Sequence, residues 1–136
     1  MLKSPARIEA AARGNGVKGP VSFFFAADGA RAWVGSANLD WRSLEHIHEV
    51  GVLVQNDRLA AQVHALVDDD FDRADTTGPS TRAEEPPLAF APLAFGNETV
   101  RVAFAASPRG YLPASVSWDW PALTRLIASA KHELRL

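Results

Sequence analysis

The chain has 136 residues, of which 47% are hydrophobic and 22% charged, a composition typical of a folded domain rather than a disordered tail. Its formal net charge of -2 argues against a protein that binds nucleic acid by bulk positive charge alone. The absence of cysteine excludes disulfides, zinc–thiolate sites and thiol nucleophiles. Because the sequence shows neither a signal peptide nor an apolar run of about 18 residues, the default expectation for its location is the cytoplasm.

The first third of the chain predicts a helix followed by a β-hairpin. Residues 5–13 have a proline at their start and a glycine-rich end, a pattern that predicts a short helix. Residues 21–27 form an apolar, aromatic run that predicts a buried strand, and residues 31–36 predict a second strand. Asp28 and Gly29 between them are a turn signal, so the two strands are expected to pair as a hairpin.

The middle of the chain predicts a third strand and an amphipathic helix. Residues 49–54 are mostly apolar, which favours a central strand. Asn56 is a candidate helix cap, and residues 58–74 carry apolar side chains at helical spacing. Residues 76–98, rich in proline, threonine and serine, predict a linker.

The last part of the chain predicts one strand and one helix. Residues 100–106 are mostly apolar and predict a strand. A helix is expected from about Trp120 to the end of the chain, with Leu123, Leu126 and Ile127 on its apolar face. The predicted fold class is therefore α/β.

The segment from Asp28 to Leu44 has a distinctive order and spacing of residues. Asp28 is followed after six residues by Gly35-Ser-Ala-Asn38, and then by Leu39-Asp-Trp-Arg-Ser-Leu44. This stretch resembles the second part of the phospholipase D superfamily signature, which is H-x-K, four residues, D, six residues, and G-S-x-N. The run from Gly35 to Leu44 is particularly similar to the branch that contains the lysosomal 5′-exonucleases and their bacterial relatives.

The resemblance implies a phospholipase D-like mixed sheet flanked by helices, here incomplete. Residues 1–75 would be the C-terminal part of a first phospholipase D-like half, with residues 76–98 as a linker. Residues 99–136 would then supply the opening strand and helix of a second half. The strands of such a piece would expose apolar surface, so self-association or pairing with a second phospholipase D-like half is expected.

The resemblance also implies a reaction. In the family a histidine attacks phosphorus, while lysine and asparagine side chains hold the phosphoryl oxygens as charge develops in the transition state. Two such motifs, from two halves or two subunits, share one site, because a second histidine must protonate the leaving group. The substrate is a phosphodiester of a phospholipid or of nucleic acid, and no metal or other cofactor is expected.

The spacing places Val21 where the family has its histidine and Phe23 where it has its lysine. Neither side chain can act as nucleophile or donate a hydrogen bond to phosphate. Asp28, Ser36 and Asn38 remain at signature positions, and Glu49 is expected to support them. The prediction is a truncated or degenerate phosphodiesterase that is inactive alone. The alternative is a non-catalytic binding or regulatory module that pairs with an intact phospholipase D-like partner.

Simpler interpretations exist for the same residues. Asp28 is also explained by an Asp-Gly turn alone. Trp33 and Trp41 are expected to pack rather than to act as stacking platforms. His46 and His48 alternate on an extended segment and thus share a face, but no further ligand is fixed by spacing. They are therefore interpreted as solvated or hydrogen-bonded rather than metal-binding.

Overall fold

A computed structural model describes residues 8–12, 23–37, 41–73 and 84–133 of the chain. The chain divides into two compact units, residues 1–76 and residues 77–136. Among the described residues, no helix combines the length and the apolar character needed to cross a membrane.

The first unit is built on a four-stranded sheet. Its strands are β1 (Ile8–Ala12), β2 (Phe23–Ala27), β3 (Arg31–Gly35) and β4 (Gly51–Gln55), and its helices are α1 (Trp41–Glu45) and α2 (Asp57–Asp72). The strands lie in the order β1-β2-β3-β4, and every neighbouring pair is antiparallel. Each strand thus lies next to the strand that follows it in sequence.

The turn between β2 and β3 explains why the hairpin forms at this point. Ala27 pairs with Arg31, which leaves a three-residue loop. Asp28 and Gly29 both adopt positive φ angles, 53° and 67°. Glycine enters this left-handed region freely, and aspartate is among the few other residues that tolerate it. The Asp-Gly signal therefore predicted the hairpin correctly.

Helix α2 supplies most of the core of the first unit by packing against the sheet. Its N-terminus is capped by Asn56, whose Oδ1 accepts a hydrogen bond from the Leu59 N–H over 3.1 Å. The side chains on its inner face are buried: Leu59, Ala60, Val63, Leu66 and Val67. Ala32 of β3 is buried with them. The cap and the amphipathic helix are both as the sequence predicts.

Residues 84–133 of the second unit contain two small sheets, a short 3-10 helix (Arg109–Tyr111) and an α-helix. Strands β5 (Ala91–Phe95) and β6 (Glu98–Val102) form an antiparallel hairpin, and β7 (Ala105–Ala106) runs parallel to β8 (Ser117–Trp118). Helix α3 (Trp120–Ala128) follows β8 directly. The buried side chains of this unit include Ala91, Ala106, Leu112 and Val116.

The α/β class is confirmed, but the structure corrects several elements. Residues 8–12 form β1, not part of a helix over 5–13, because this alanine-rich stretch pairs along its whole length with β2. Residues 51–55 form an edge strand rather than a central one, since β4 has a neighbour only in β3 among the described strands. Leu53 of β4 is accordingly 71% exposed.

Three further expectations also need correction. The sheet of the first unit was expected to be mixed, but its four strands are antiparallel; the parallel pair is β7 with β8. The expected linker over 76–98 contains β5, whose residues pair with β6. The predicted C-terminal helix starts at Trp120 as expected but ends at Ala128, after which residues 129–133 are not helical.

Candidate functional site

The serine of the signature lies directly after β3 and is fixed to the segment that precedes β4. The Ser36 hydroxyl donates a hydrogen bond to Oε2 of Glu49 over 2.5 Å. The same hydroxyl oxygen accepts from the Val50 N–H at 3.3 Å, and the Ser36 N–H donates to the Val50 carbonyl at 3.1 Å. The structure therefore brings together Ser36 and Glu49 at the end of β3.

Backbone pairing places the lysine position of the signature beside this serine. Phe23, the first residue of β2, pairs with Gly35, and Gly35 pairs with Gly51. Ser36 follows Gly35 directly, so position 23 lies at the same end of the sheet as Ser36 and Glu49. Val21, at the histidine position, lies outside the described residues.

The two glycines in this row accommodate an aromatic side chain. A Cβ on Gly35 would lie 2.5 Å from the Trp33 indole, and a Cβ on Gly51 would lie 2.7 Å from it. The Trp33 ring is also 5.3 Å from the Phe25 ring, between centroids, at an angle of 55°. Trp33 thus packs across the strand ends, as predicted. Gly35 belongs to β3 and is required for this close approach, a role that the signature alone does not show.

Asp28 lies at the other end of β3. Gly29, Ala30 and the five residues of β3 separate it from Ser36, and β3 alone amounts to about 17 Å at a rise of about 3.3 Å per residue. Asp28 is exposed in the turn, where its positive φ accounts for its presence. The structure does not bring Asp28 to Ser36 and Glu49. Asn38 lies outside the described residues.

Helix α1 presents an aromatic residue to solvent. Trp41 was expected to pack rather than to act as a stacking platform, and the structure leaves its side chain 59% exposed. The Arg42 guanidinium carbon lies 5.4 Å from the centre of its ring, and the His46 ring meets it edge-on at 5.2 Å. His46 and His48 are both exposed. In the part of the chain that the structure describes, no three histidine, aspartate or glutamate side chains are grouped to hold a metal ion.

The segment between Ser36 and β4 exposes large apolar side chains. We call them the rim; its members are Trp41, Leu44, Ile47 and Val50, all more than half exposed. The rim lies between the Ser36 loop and β4 in the sequence. The signature did not reveal it, because the same apolar pattern would be consistent with a buried segment.

The geometry limits what Ser36 can do. A serine hydroxyl has one proton to donate, and Ser36 donates it to Glu49. The carboxylate of Glu49 also places a negative charge next to the hydroxyl, which disfavours an approaching phosphate. No lysine occurs among the described residues of the first unit. Ser36 and Glu49 therefore supply neither positive charge nor a spare hydrogen-bond donor to stabilise a phosphoryl group.

Comparison with known families agrees with the signature. Residues 23–72 match the sequence model of the family described as "Cardiolipin synthase, PLD-like domain". This range runs from the start of β2 to the end of α2 and thus contains the hairpin, Ser36, Glu49 and the rim.

A curated relative matches over a shorter range. The "5'-3' exonuclease PLD4" of Mus musculus is 49% identical to this chain over 35 residues. The match covers 26% of this chain and 7% of the length of the mouse protein.

Proposed function

We propose that the chain, whose residues 23–72 match a phospholipase D-like family model, is a degenerate member of the phospholipase D superfamily that does not hydrolyse phosphodiesters by itself. The observation that carries the proposal is the pair of residues at the positions of the catalytic histidine and lysine, Val21 and Phe23. Its ancestry is that of a phosphodiesterase acting on phospholipid or nucleic acid.

The chemistry of the family explains why these two positions decide activity. The histidine forms a covalent bond to phosphorus, and valine offers no atom with a lone pair in its side chain. The lysine offsets negative charge on the phosphoryl oxygens, and phenylalanine has neither charge nor donor. Removing single groups that stabilise developing charge costs enzymes about 100- to 1000-fold in rate. Loss of the nucleophile as well removes the covalent route.

The hydrogen bonding of Ser36 supports the same proposal. Its hydroxyl proton is directed to Glu49, and its oxygen accepts the Val50 N–H. These bonds connect two loops at the end of the sheet. Ser36 and Glu49 thus serve to hold the scaffold of the family, and Asp28 serves to form the turn.

The test is turnover of both substrate classes by the purified chain. A 5′-labelled single-stranded oligonucleotide and vesicles of phosphatidylglycerol and cardiolipin are incubated with the wild-type chain and with Asn38→Ala. The proposal expects no product above buffer from either protein. Product that forms with the wild-type chain and disappears with Asn38→Ala would overturn the proposal. Product that persists in Asn38→Ala would place the activity, or a contaminant, outside the family site.

A second candidate function is a non-catalytic module that pairs with an intact phospholipase D-like protein. The rim favours it, because four large apolar side chains exposed within a ten-residue segment are typical of an interaction surface rather than a free one. Burial of such side chains gives most interfaces their stability.

This second candidate is tested by light scattering coupled to size-exclusion chromatography. The wild-type chain and Ile47→Glu are each run alone over a range of concentrations, and then mixed with a phospholipase D-like protein that contains both complete motifs. The module hypothesis expects a mixed species with the wild-type chain that Ile47→Glu abolishes. Ala61→Glu, on an exposed position of α2, changes the charge by the same amount and is the matched control. A monomer in every mixture contradicts the hypothesis.

A further inference from the structure

A groove lies within the second unit, between residues 84–90 and the first turns of α3. Its volume is about 620 Å³, which lies within the range of about 300 to 1000 Å³ that small-molecule sites occupy. Its lining includes Pro86, Leu88, Phe90, Trp118, Ala122 and Arg125. The walls are therefore mainly apolar and aromatic, with a cationic side chain contributed by α3.

Hydrogen bonds fix the segment that lines one side of the groove, and they engage the side chains of Glu85 and Ser117. Oε1 of Glu85 accepts the Trp118 N–H at 2.7 Å, and Oε2 of Glu85 meets the Arg109 Nε at 3.1 Å. The Ser117 hydroxyl donates to the Pro86 carbonyl at 3.1 Å. These bonds fix residues 85–86 against β8, so the wall formed by this segment is built in place before any ligand arrives.

Two arginines and one glutamate lie at the groove, so its positive charge exceeds its negative charge. Glu85 is its acidic lining residue, and Arg109 pairs with it. Arg125 forms no ion pair and no side-chain hydrogen bond among residues 84–133. Within residues 84–133, the Arg125 guanidinium is thus left without a counter-charge beside aromatic walls. A guanidinium binds carboxylate, sulfonate and phosphate oxygens through paired N–H donors.

We propose that this groove binds a small organic anion with an aromatic body, the ring lying among Phe90, Trp118 and the prolines and the anionic group on Arg125. Aromatic walls favour a flat apolar body because offset and edge-to-face ring contacts add to the burial of apolar surface. Because Glu85 is paired with Arg109, the anionic group of the ligand would be the counter-charge of Arg125. The site belongs to the second unit and does not depend on the proposed loss of phosphodiesterase activity.

The test compares two fluorescent probes of similar shape. Anilinonaphthalene sulfonate has an aromatic body with an anionic group, and N-phenylnaphthylamine has the same body without charge. Each is titrated into the full chain as wild type, Arg125→Gln, Ala122→Phe and Arg31→Gln. Arg31 is an exposed arginine of the first unit and serves as the matched control. Circular dichroism establishes that each variant is folded.

The proposal expects Arg125→Gln to weaken the sulfonate about tenfold, the effect of losing a hydrogen bond to a charged group. Affinity for the neutral probe should stay within about twofold, since its contacts are apolar. Ala122→Phe should abolish the groove site for both probes by filling it, and Arg31→Gln should change neither. Equal sulfonate affinity in Arg125→Gln and Arg31→Gln would overturn the proposal. So would unchanged binding in Ala122→Phe, or a wild-type chain that binds neither probe.

Discussion

Because Trp33 packs closely on Gly51, the effect of Gly51→Ala on the free energy of unfolding should depend on whether the Trp33 indole is present. Gly51→Ala places a Cβ 2.7 Å from the Trp33 indole, a distance at which the ring or the strand must move. The ring is rigid and is held by Phe25 on the adjacent strand. Overpacking of this kind costs about 1 to 3 kcal/mol. In the wild-type background Gly51→Ala should therefore lower the free energy of unfolding.

The Trp33→Val background removes the indole and reverses the expectation. Alanine restricts the unfolded chain more than glycine does, so without the clash it should stabilise the strand by about 0.5 to 1 kcal/mol. The double-mutant cycle should then give a coupling energy of about 1.5 to 4 kcal/mol between the two positions, the sum of the two effects. Gly35→Ala, with its Cβ 2.5 Å from the same ring, should also destabilise the wild type, but its Cβ would lie 3.0 Å from the Gly51 Cα as well, so removal of the indole should relieve only part of its cost.

The assay is urea unfolding followed by circular dichroism at constant temperature, because the tryptophan fluorescence changes when Trp33 is replaced. All four proteins of the cycle are measured, and the slopes of the transitions are compared before the free energies are. Gly51→Ala as stable as the wild type would refute the reasoning. Equal destabilisation by Gly51→Ala in both backgrounds would also refute it, since the cost would then not come from the indole.

The remaining predictions concern the helix cap, the core and the serine. Asn56→Ala should destabilise the first unit by about 1 kcal/mol, because the Leu59 N–H loses its partner; Asn56→Asp, which retains the acceptor, should cost less, and equal losses would contradict the cap. Leu66→Ala should cost about 2 to 5 kcal/mol in urea unfolding, since Leu66 is fully buried. Ser36→Ala should cost about 1 kcal/mol by loss of its bond to Glu49; no stability change would show that this bond does not hold the loops.

Short sequence patterns correctly predicted the elements whose conformation depends on residues adjacent in the sequence. The Asp28-Gly29 turn needs left-handed backbone, which few residues adopt, and Asn56 caps a helix whose apolar spacing is regular. Residues 8–12 were misassigned for the opposite reason. Their alanines favour a helix, and only pairing with β2, more than ten residues away, makes them a strand.

The site was predictable from the signature only in part. Ser36 and Glu49, which the resemblance singled out, lie 13 residues apart and form a hydrogen bond; their role at a phosphate site stays a prediction. The packing of Trp33 between Gly35 and Gly51 depends on the register of β3 with β4, which no local pattern encodes. The exposure of Trp41 was missed because apolar residues near a short helix are usually buried.

The measurement that tests the central claim most directly is hydrolysis of bis(p-nitrophenyl) phosphate by the purified chain. This small diester needs no specificity loops, so it reports the chemistry of the site alone. With Val21 and Phe23 at the nucleophile and lysine positions, we expect release of nitrophenol equal to that in buffer, for the wild type and for Ser36→Ala alike. Saturable release by the wild type that Ser36→Ala abolishes would contradict the account, because it would show that the site still carries out the reaction of the family.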